Sequence, residues 1–391
     1  MWLPEVLFWG SLASVFYTYK GYSWLLKVLP AEKFIDIPTC KDWPKVEVIF
    51  AAHNEEAVIA SKLQSLIKST YPAELLTVTV GSDASTDRTD EIVEEFSKKS
   101  SIAIRLVRFS KRTGKAGIIN KLATDSTADI LICTDANILH EADSITKAVT
   151  LLTTEPKLGA VGGTLHFVVK SAEGIALQEN YYRTWENTVR HRESALWQLP
   201  MGFEGGFYAI RRELFKQIPK NFYMEDFFQT LHLYCSGFKA YLHPEVIGYE
   251  DVSTLPEEEF QRKKRISIGN FQNLFYFFRC LHSNMRLAFV FWSHKGLRWI
   301  TPLLLLMALV ANLFLALFTT KKLYSITLLM AGFILFLSLL GRILSKKKQK
   351  FALAVFIYHF VNMNFALLIG LIQFIKGVNS NVWQPTRRNQ A

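Results

Sequence analysis

Residues Ala128–Ser144 read ADILICTDANILHEADS. The apolar run Ile130–Cys133 has the character of a strand buried in a core, and it breaks into Thr134-Asp135-Ala136-Asn137. A carboxylate and an amide one residue apart, where a core strand surfaces, have two readings. Asp and Asn are ordinary turn residues. They are also oxygen ligands at the carboxyl end of a strand, where open α/β sheets take up their ligands. The segments on either side decide between the two.

Upstream, VEVIFAA (Val46–Ala52) reads as a strand, and EEAVIASKLQSLIKS after it as an amphipathic helix closed before Pro72. LLTVTVG is the next strand, and STDRTDEIVEEFSKK a helix that Ser85, Thr86 and Asp87 are expected to open as caps. AIRLVRF, GKAGIINKLATDS, ADILICT and ADSITKAVTLLTT continue the alternation. The pattern predicts an α/β fold with a largely parallel sheet. Polar groups then gather at one sheet edge: His53-Asn54-Glu55-Glu56 after the first strand, Asp83 to Asp87 after the second, Lys115 after the third, Asp135 and Asn137 after the fourth. Any one of these is explained by a turn or a cap; four together argue for a site.

The rest of the chain is apolar in blocks. Half of the 391 residues are hydrophobic, and Thr301–Phe318, Leu323–Gly341 and Phe351–Ile375 are each long enough to cross a bilayer, which takes about 20 residues. Residues 1–29 read as an uncleaved N-terminal anchor, with Trp2, Trp9, Tyr17, Tyr19, Tyr22 and Trp24 suited to an interfacial belt and Glu5 near its outer end. The net charge of +11 is concentrated at bilayer edges, in Lys20 and Lys27, Gln261–Arg265 and Ser345–Lys350. That placement fits anionic lipid rather than nucleic acid. With the middle of the chain cytoplasmic, Ser345–Lys350 falls inside and Thr319–Lys322 outside. Cys40, Cys133, Cys235 and Cys280 are scattered, so neither a zinc site nor a disulfide framework is expected, which suits a reducing compartment.

The oxygen-rich edge suits a hard cation, Mg²⁺ or Mn²⁺, which keeps positions for phosphate oxygens. Asp135 and Asn137 would hold it, Asp83 would accept hydrogen bonds from a nucleoside, and Lys115 at a helix start would meet a phosphate or a sugar.

The segments VIFAAHNEE, VGSDASTDRT, TGKAGIIN, TDAN, EGGFYAIRREL and MEDFFQTLHLYCSGFKAYLHPE resemble, in order and spacing, family 2 glycosyltransferases of the GT-A fold. The resemblance is strongest to the membrane-integrated branch that makes cellulose, chitin, hyaluronan and poly-N-acetylglucosamine, and it covers about Val46 to Gln272. It implies a Rossmann-like, mostly parallel GT-A domain at residues 38–255. Around it lie the anchor at 1–29, an amphipathic interfacial segment at 256–300 and three transmembrane helices at 301–377. It also implies inverting transfer of a sugar from a nucleotide-diphosphate donor, usually UDP, to a polysaccharide or lipid-linked acceptor. A cell-envelope enzyme of a bacterial inner membrane with a cytoplasmic catalytic domain would fit.

Carried over by motif, His53, Glu55 and Asp83 fall at nucleoside contacts, Lys115 at the phosphate or sugar, and Asp135 and Asn137 on a D-x-D metal motif that here reads D-x-N. Glu204-Gly205-Gly206 falls on an acceptor-facing loop, and Glu225-Asp226 on a pair whose aspartate is the general base. A carboxylate opposite the leaving diphosphate is what inversion needs. Processive members carry Q-x-x-R-W where this chain has Arg262 to Ile266, R-x-x-R-I. Arg265 can still meet a diphosphate, although QRKKR also reads as a lipid-facing patch. Without the tryptophan, single addition to a lipid stands beside polymerisation, and a catalytically silent nucleotide-binding scaffold is the reading from another class. The segment Ala172–Leu199 reads as an amphipathic helix packed on the sheet or bilayer, with Trp197 and Gln198 as acceptor candidates because they precede the glycine loop.

Overall fold

The computed structural model describes residues 2–31, 34–40, 42–168, 175–251, 256–346, 352–378 and 380–382. The expected boundary at residue 255 and the basic residues 347–350 lie outside the described residues. Eight strands form one sheet: β1 Val46–Ala52, β2 Leu76–Asp83, β3 Ala103–Phe109, β4 Ile130–Thr134, β5 Leu139–His140, β6 Leu158–Val168, β7 Phe207–Arg211 and β8 Lys239–Asp251. Their order is β3-β2-β1-β4-β7-β6-β8-β5.

The first four strands are parallel, with Val46 opposite both Leu76 and Ile130. β7 runs antiparallel between β4 and β6, so the sheet is mixed, as three of its pairings are antiparallel. β1 is buried along its whole length. Val48 and Phe50 join one apolar core and Ile49 and Ala51 the other, so helices cover both faces. The chain lays β2 and β3 on one side of β1 and β4 on the other. That reversal opens a crevice at the carboxyl ends of β1 and β4, and the TDAN segment ends β4 there.

Among the described residues three helices are long and apolar enough to cross a membrane: Thr301–Phe318, Lys322–Leu344 and Leu353–Lys376. The N-terminal helix Trp2–Phe16 packs along the first of them through Phe8 against Ala308, Ala311 and Leu315. Glu5 Oε1 meets Lys321 Nζ at 2.6 Å and accepts from the Tyr324 hydroxyl, so the chain start and the 319–322 hairpin share one end of the bundle.

The helix Pro256–Tyr276 packs along Ala352–Lys376. A Cβ on Gly370 would come within 2.4 Å of the Ser267 side chain, so only glycine permits the approach. After this helix the chain returns to the α/β domain. The Tyr223 hydroxyl donates to Ser380 O, Asn381 Nδ2 to Phe222 O and Asn221 Nδ2 to Val378 O.

Two expectations change. Cys235 and Cys280 are joined by a disulfide that ties the end of the Glu225–Cys235 helix to Phe278–Ser283. The pair overturns the expectation of four free thiols and removes the argument for a reducing compartment. Forty-five residues separate the two, so nothing in local spacing announced it. The helix after β2 starts at Thr89, later than its expected caps. Asp87 Oδ1 accepts from Thr89 N, while its Oδ2 accepts from Glu56 N and Asn54 Oδ1 accepts from Thr86 N. The polar residues after β2 therefore zip the 53–56 and 85–89 loops together instead of capping in sequence.

Candidate active site

Lys115 opens the helix Lys115–Asp125. Its ammonium lies between two carboxylates, 2.5 Å from Asp135 Oδ1 and in contact with Glu225 Oε1. Burial would lower its pKa, but Asp135 and Glu225 overturn that and hold it charged. One ammonium thus joins the β4 edge to the helix that begins at Glu225.

Asp226, the next residue, is 6% exposed. Burial and the neighbouring Glu225 charge push its carboxyl up to about 7, against the pull of Lys115. A Cβ on Gly205 would stand 3.2 Å from Asp226 Oδ2, so the glycine loop lies directly on this carboxylate. Lys115, Asp135, Glu225, Asp226 and Gly205 form one continuous rim.

The nucleoside candidates form a second, adjoining group. Asp83 is fully buried. Its carboxylate takes Thr113 N, Gly114 N and the Arg112 guanidinium, which places it under the loop that leads to Lys115. Arg112 also donates to His53 Nε2 at 2.7 Å, so His53 is the neutral tautomer that donates from Nδ1 to Asp83 O. Burial and Arg112 lower its pKa in accord. Glu55 N donates to Thr89 Oγ1. His53 and Asp83 therefore line the 112–114 loop, while Glu55 is tied to the start of the Thr89–Lys99 helix.

The acceptor-loop carboxylate Glu204 is held by Arg183 and by Arg190 at 2.8 Å. Arg183 also pairs with Glu250 at 3.0 Å, and Glu250 accepts from Asn137 Nδ2. Trp197 goes elsewhere: it packs on Phe289 and lines a cavity of about 410 Å³ with Tyr234, Lys239 and Arg286. Gln198 pairs through its carbonyl with Ala240 N. Arg265, partly buried beside Tyr223, has no ion-pair partner among the described residues. Lys263 lies over the Tyr182 ring at 5.2 Å, so QRKKR is only partly an outward patch.

Sequence reading missed the buried charges. The helix Ile175–Trp197 is not simply amphipathic on a surface: Glu186, Arg190 and Glu193 are buried. Arg183, Glu186, Arg190 and Glu193, spaced three, four and three apart, form one stripe, which is the signal RTWENTVRHRE carried.

Lys62 was missed as well. It occupies the apolar stripe Ile59, Leu63, Leu66 of its helix and is 0% exposed. Full burial pushes its pKa well below the usual lysine range, and its amine donates to Thr134 Oγ1 at 2.8 Å and Ile138 O at 2.7 Å, stapling the TDAN turn from beneath, while Thr134 Oγ1 in turn donates to Gly206 O. Lys62→Met, which keeps the length and loses the donors, is expected to lower kcat about 10–100-fold by misplacing Asp135. The thermal midpoint should move little, because the lost hydrogen bonds are offset by an apolar end replacing a buried polar amine. Steady-state rates beside a melting curve check this.

A divalent ion fits this edge in a limited way. Among the described residues no three His, Cys, Asp or Glu side chains converge as a ready cage. The Asp135 side chain is 34% exposed, and its second oxygen and the Asn137 carbonyl remain for a hard cation that brings diphosphate and water oxygens with it.

Residues 47–219 match the family model described as Glycosyl transferase family 2. The chain carries a family 2 glycosyltransferase domain. The probable glycosyltransferase YdaM of Bacillus subtilis (strain 168) is 26% identical over 235 residues, 59% of this chain and 56% of that protein. The poly-beta-1,6-N-acetyl-D-glucosamine synthase of Staphylococcus epidermidis is 24% identical over 48% of this chain and 43% of its own length. The chain thus spans about half the length of these curated relatives.

Among solved structures, the mannosyltransferase PcManGT from Pyrobaculum calidifontis, in complex with GDP-Man and Mn2+, is similar over 95% of this chain and 99% of that one, with a TM-score of 0.70. At 22% identity that likeness establishes a shared fold, here the GT-A arrangement with apolar helices behind it.

Proposed function

We propose that this protein is a membrane-bound inverting glycosyltransferase that moves a sugar from a nucleotide-diphosphate donor, a UDP-sugar, to a polysaccharide or lipid-linked acceptor. The observation that carries the reading is the continuous rim Lys115–Asp135–Glu225–Asp226–Gly205, one cation among three acids against a glycine loop. An acceptor hydroxyl over Gly205 loses its proton to Asp226 as its oxygen attacks the anomeric carbon. The diphosphate departs from the opposite face. Lys115 offsets its charge, and Arg265, the arginine of the R-x-x-R-I segment, would be a second cation for the diphosphate. His53 and Asp83 shape the nucleoside end through the 112–114 loop, and Glu55 stands beside them at the end of β1. Glu204, fixed by two arginines, holds the acceptor loop in place. Mg²⁺ or Mn²⁺ at Asp135 and Asn137 would supply further charge neutralisation for the diphosphate.

The N-terminal helix and the apolar C-terminal helices hold the domain at a membrane, with the basic edges on its own, cytoplasmic side, as in a bacterial inner membrane. The departure at Arg262–Ile266 favours a second reading, addition of one sugar to a lipid. The test is a donor screen on purified membranes, read as metal-stimulated release of nucleoside diphosphate. A product ladder supports polymerisation and one defined glycolipid supports single addition. No release with any donor would leave a nucleotide-binding scaffold.

A further inference from the structure

Length and apolarity make the helix Ala352–Lys376 a candidate third span after the catalytic domain. Parity of crossing contradicts that. Thr301 follows directly from the helices packed on the α/β domain, so the first span starts on the domain's side and ends at the 319–322 hairpin. The second span returns to the domain's side. A third crossing would place everything beyond Lys376 on the far side of the bilayer. Val378, Ser380 and Asn381 are instead hydrogen-bonded to Asn221, Tyr223 and Phe222, the three residues that lead into Met224 and Glu225.

The contacts along the helix agree. Phe365 lies on Phe260, Leu367 O accepts from Ser267 Oγ, and Phe374 stacks on Phe271 and Phe275. The helix Pro256–Tyr276 that supplies these partners carries QRKKR. With those cations it cannot follow a neighbour through hydrocarbon. Its middle stays level with the start of the first span, since Arg298 stacks on the same Tyr182 ring as Lys263. The face of Ala352–Lys376 turned away from it is apolar and bare, with Ile372 45% and Ile375 72% exposed. The sequence of this helix also includes His359, Asn362, Asn364 and Gln373, and its mean hydropathy, 1.9, is below the 2.3 of the other two. A same-side end also keeps Lys376, Arg387 and Arg388 with the other basic residues.

We propose that Ala352–Lys376 lies in the plane of the leaflet next to the catalytic domain, its bare apolar face seated in lipid, and that only two spans follow the domain. The helix is then a lipid-docking surface. Because it is packed on Pro256–Tyr276 and continues into the residues bonded to 221–223, it fixes the height of the Glu225–Asp226 helix above the bilayer.

Two measurements on the full-length chain test this. Topology reporters are placed after residue 391 and, separately, at Thr320. The expected result is a C-terminus on the catalytic side and Thr320 on the other, whereas a C-terminus sharing the side of Thr320 overturns the proposal. Nitroxide labels at Val361→Cys, Leu368→Cys and Ile375→Cys, seven residues apart on one stripe of that bare face, in a Cys40→Ser background in phosphatidylglycerol-containing vesicles, report depth without any fusion. An in-plane helix gives three similar shallow depths, within about 5–10 Å of the headgroup boundary. A span or a re-entrant hairpin gives depths graded by up to about 21 Å over the fourteen residues, at 1.5 Å per residue, and overturns it. Neither result depends on which donor or acceptor the site takes.

Discussion

Asp226→Asn is expected to lower kcat by about 10²–10⁴, the range general-base catalysis contributes, while donor binding is kept. The amide fills the same space against Gly205 and accepts no proton. The pH dependence gives an independent check. Burial and Glu225 place the wild-type carboxyl up to about 7, so its basic form is gained, and activity rises, as pH climbs through that region. Stability runs the other way. An aspartate raised from its ordinary value near 3.8 binds its proton more tightly folded than unfolded, so folding weakens as pH rises between the two values. The Asn variant lacks that penalty and should melt no lower than wild type at pH 8. Full transfer activity in Asp226→Asn would remove Asp226 from the mechanism.

Lys115→Met should lose both activity and stability. Without the ammonium, Asp135 and Glu225 face each other with no intervening charge beside Asp226. Lys115 is 25% and Asp135 34% exposed, so solvent screens part of the loss and removing the ammonium costs about 1–2 kcal/mol. The stranded charges also push the Asp226 carboxyl higher. The acid limb of the rate profile should therefore move upward in pH, and donor release should fall at least about 10²-fold as electrostatic support for the departing diphosphate is lost. The signature is the combination, since a purely structural lysine would lower the melting midpoint and leave the acid limb in place. Lys115→Arg, which keeps the charge in a bulkier form, should restore part of the stability before it restores rate.

The fold was legible because it depends on local pattern. VEVIFAA occupies the seven residues expected of it, and the strand–helix alternation through Thr154 follows the written periodicity. Lys115 and Asp135 were legible because the parallel strands bring their carboxyl ends to one edge, whereas Glu225 and Asp226, which follow the antiparallel β7, were named only through the family resemblance. The partners of those residues were not legible. Nothing in the amphipathic pattern of EEAVIASKLQSLIKS singles out Lys62, and only the Thr134–Ile138 turn above it explains a buried amine. Glu204 looked like an acceptor contact, and the stripe Arg183–Arg190 takes both of its oxygens. Trp197, close to the glycine loop in sequence, turns toward Phe289, because the end of a long helix points where its packing sends it.

By itself the sequence determined which segments are strands, helices and lipid-compatible runs, and which side chains could do chemistry. These follow from periodicity and composition within windows of ten to twenty residues. Only the tertiary structure decided which charges neutralise one another, that Cys235 meets Cys280, and that the last apolar helix brings the chain back to the Glu225–Asp226 loop. An ion pair, a disulfide and a direction of crossing each depend on two distant segments occupying the same place. Residue spacing along the chain does not encode that.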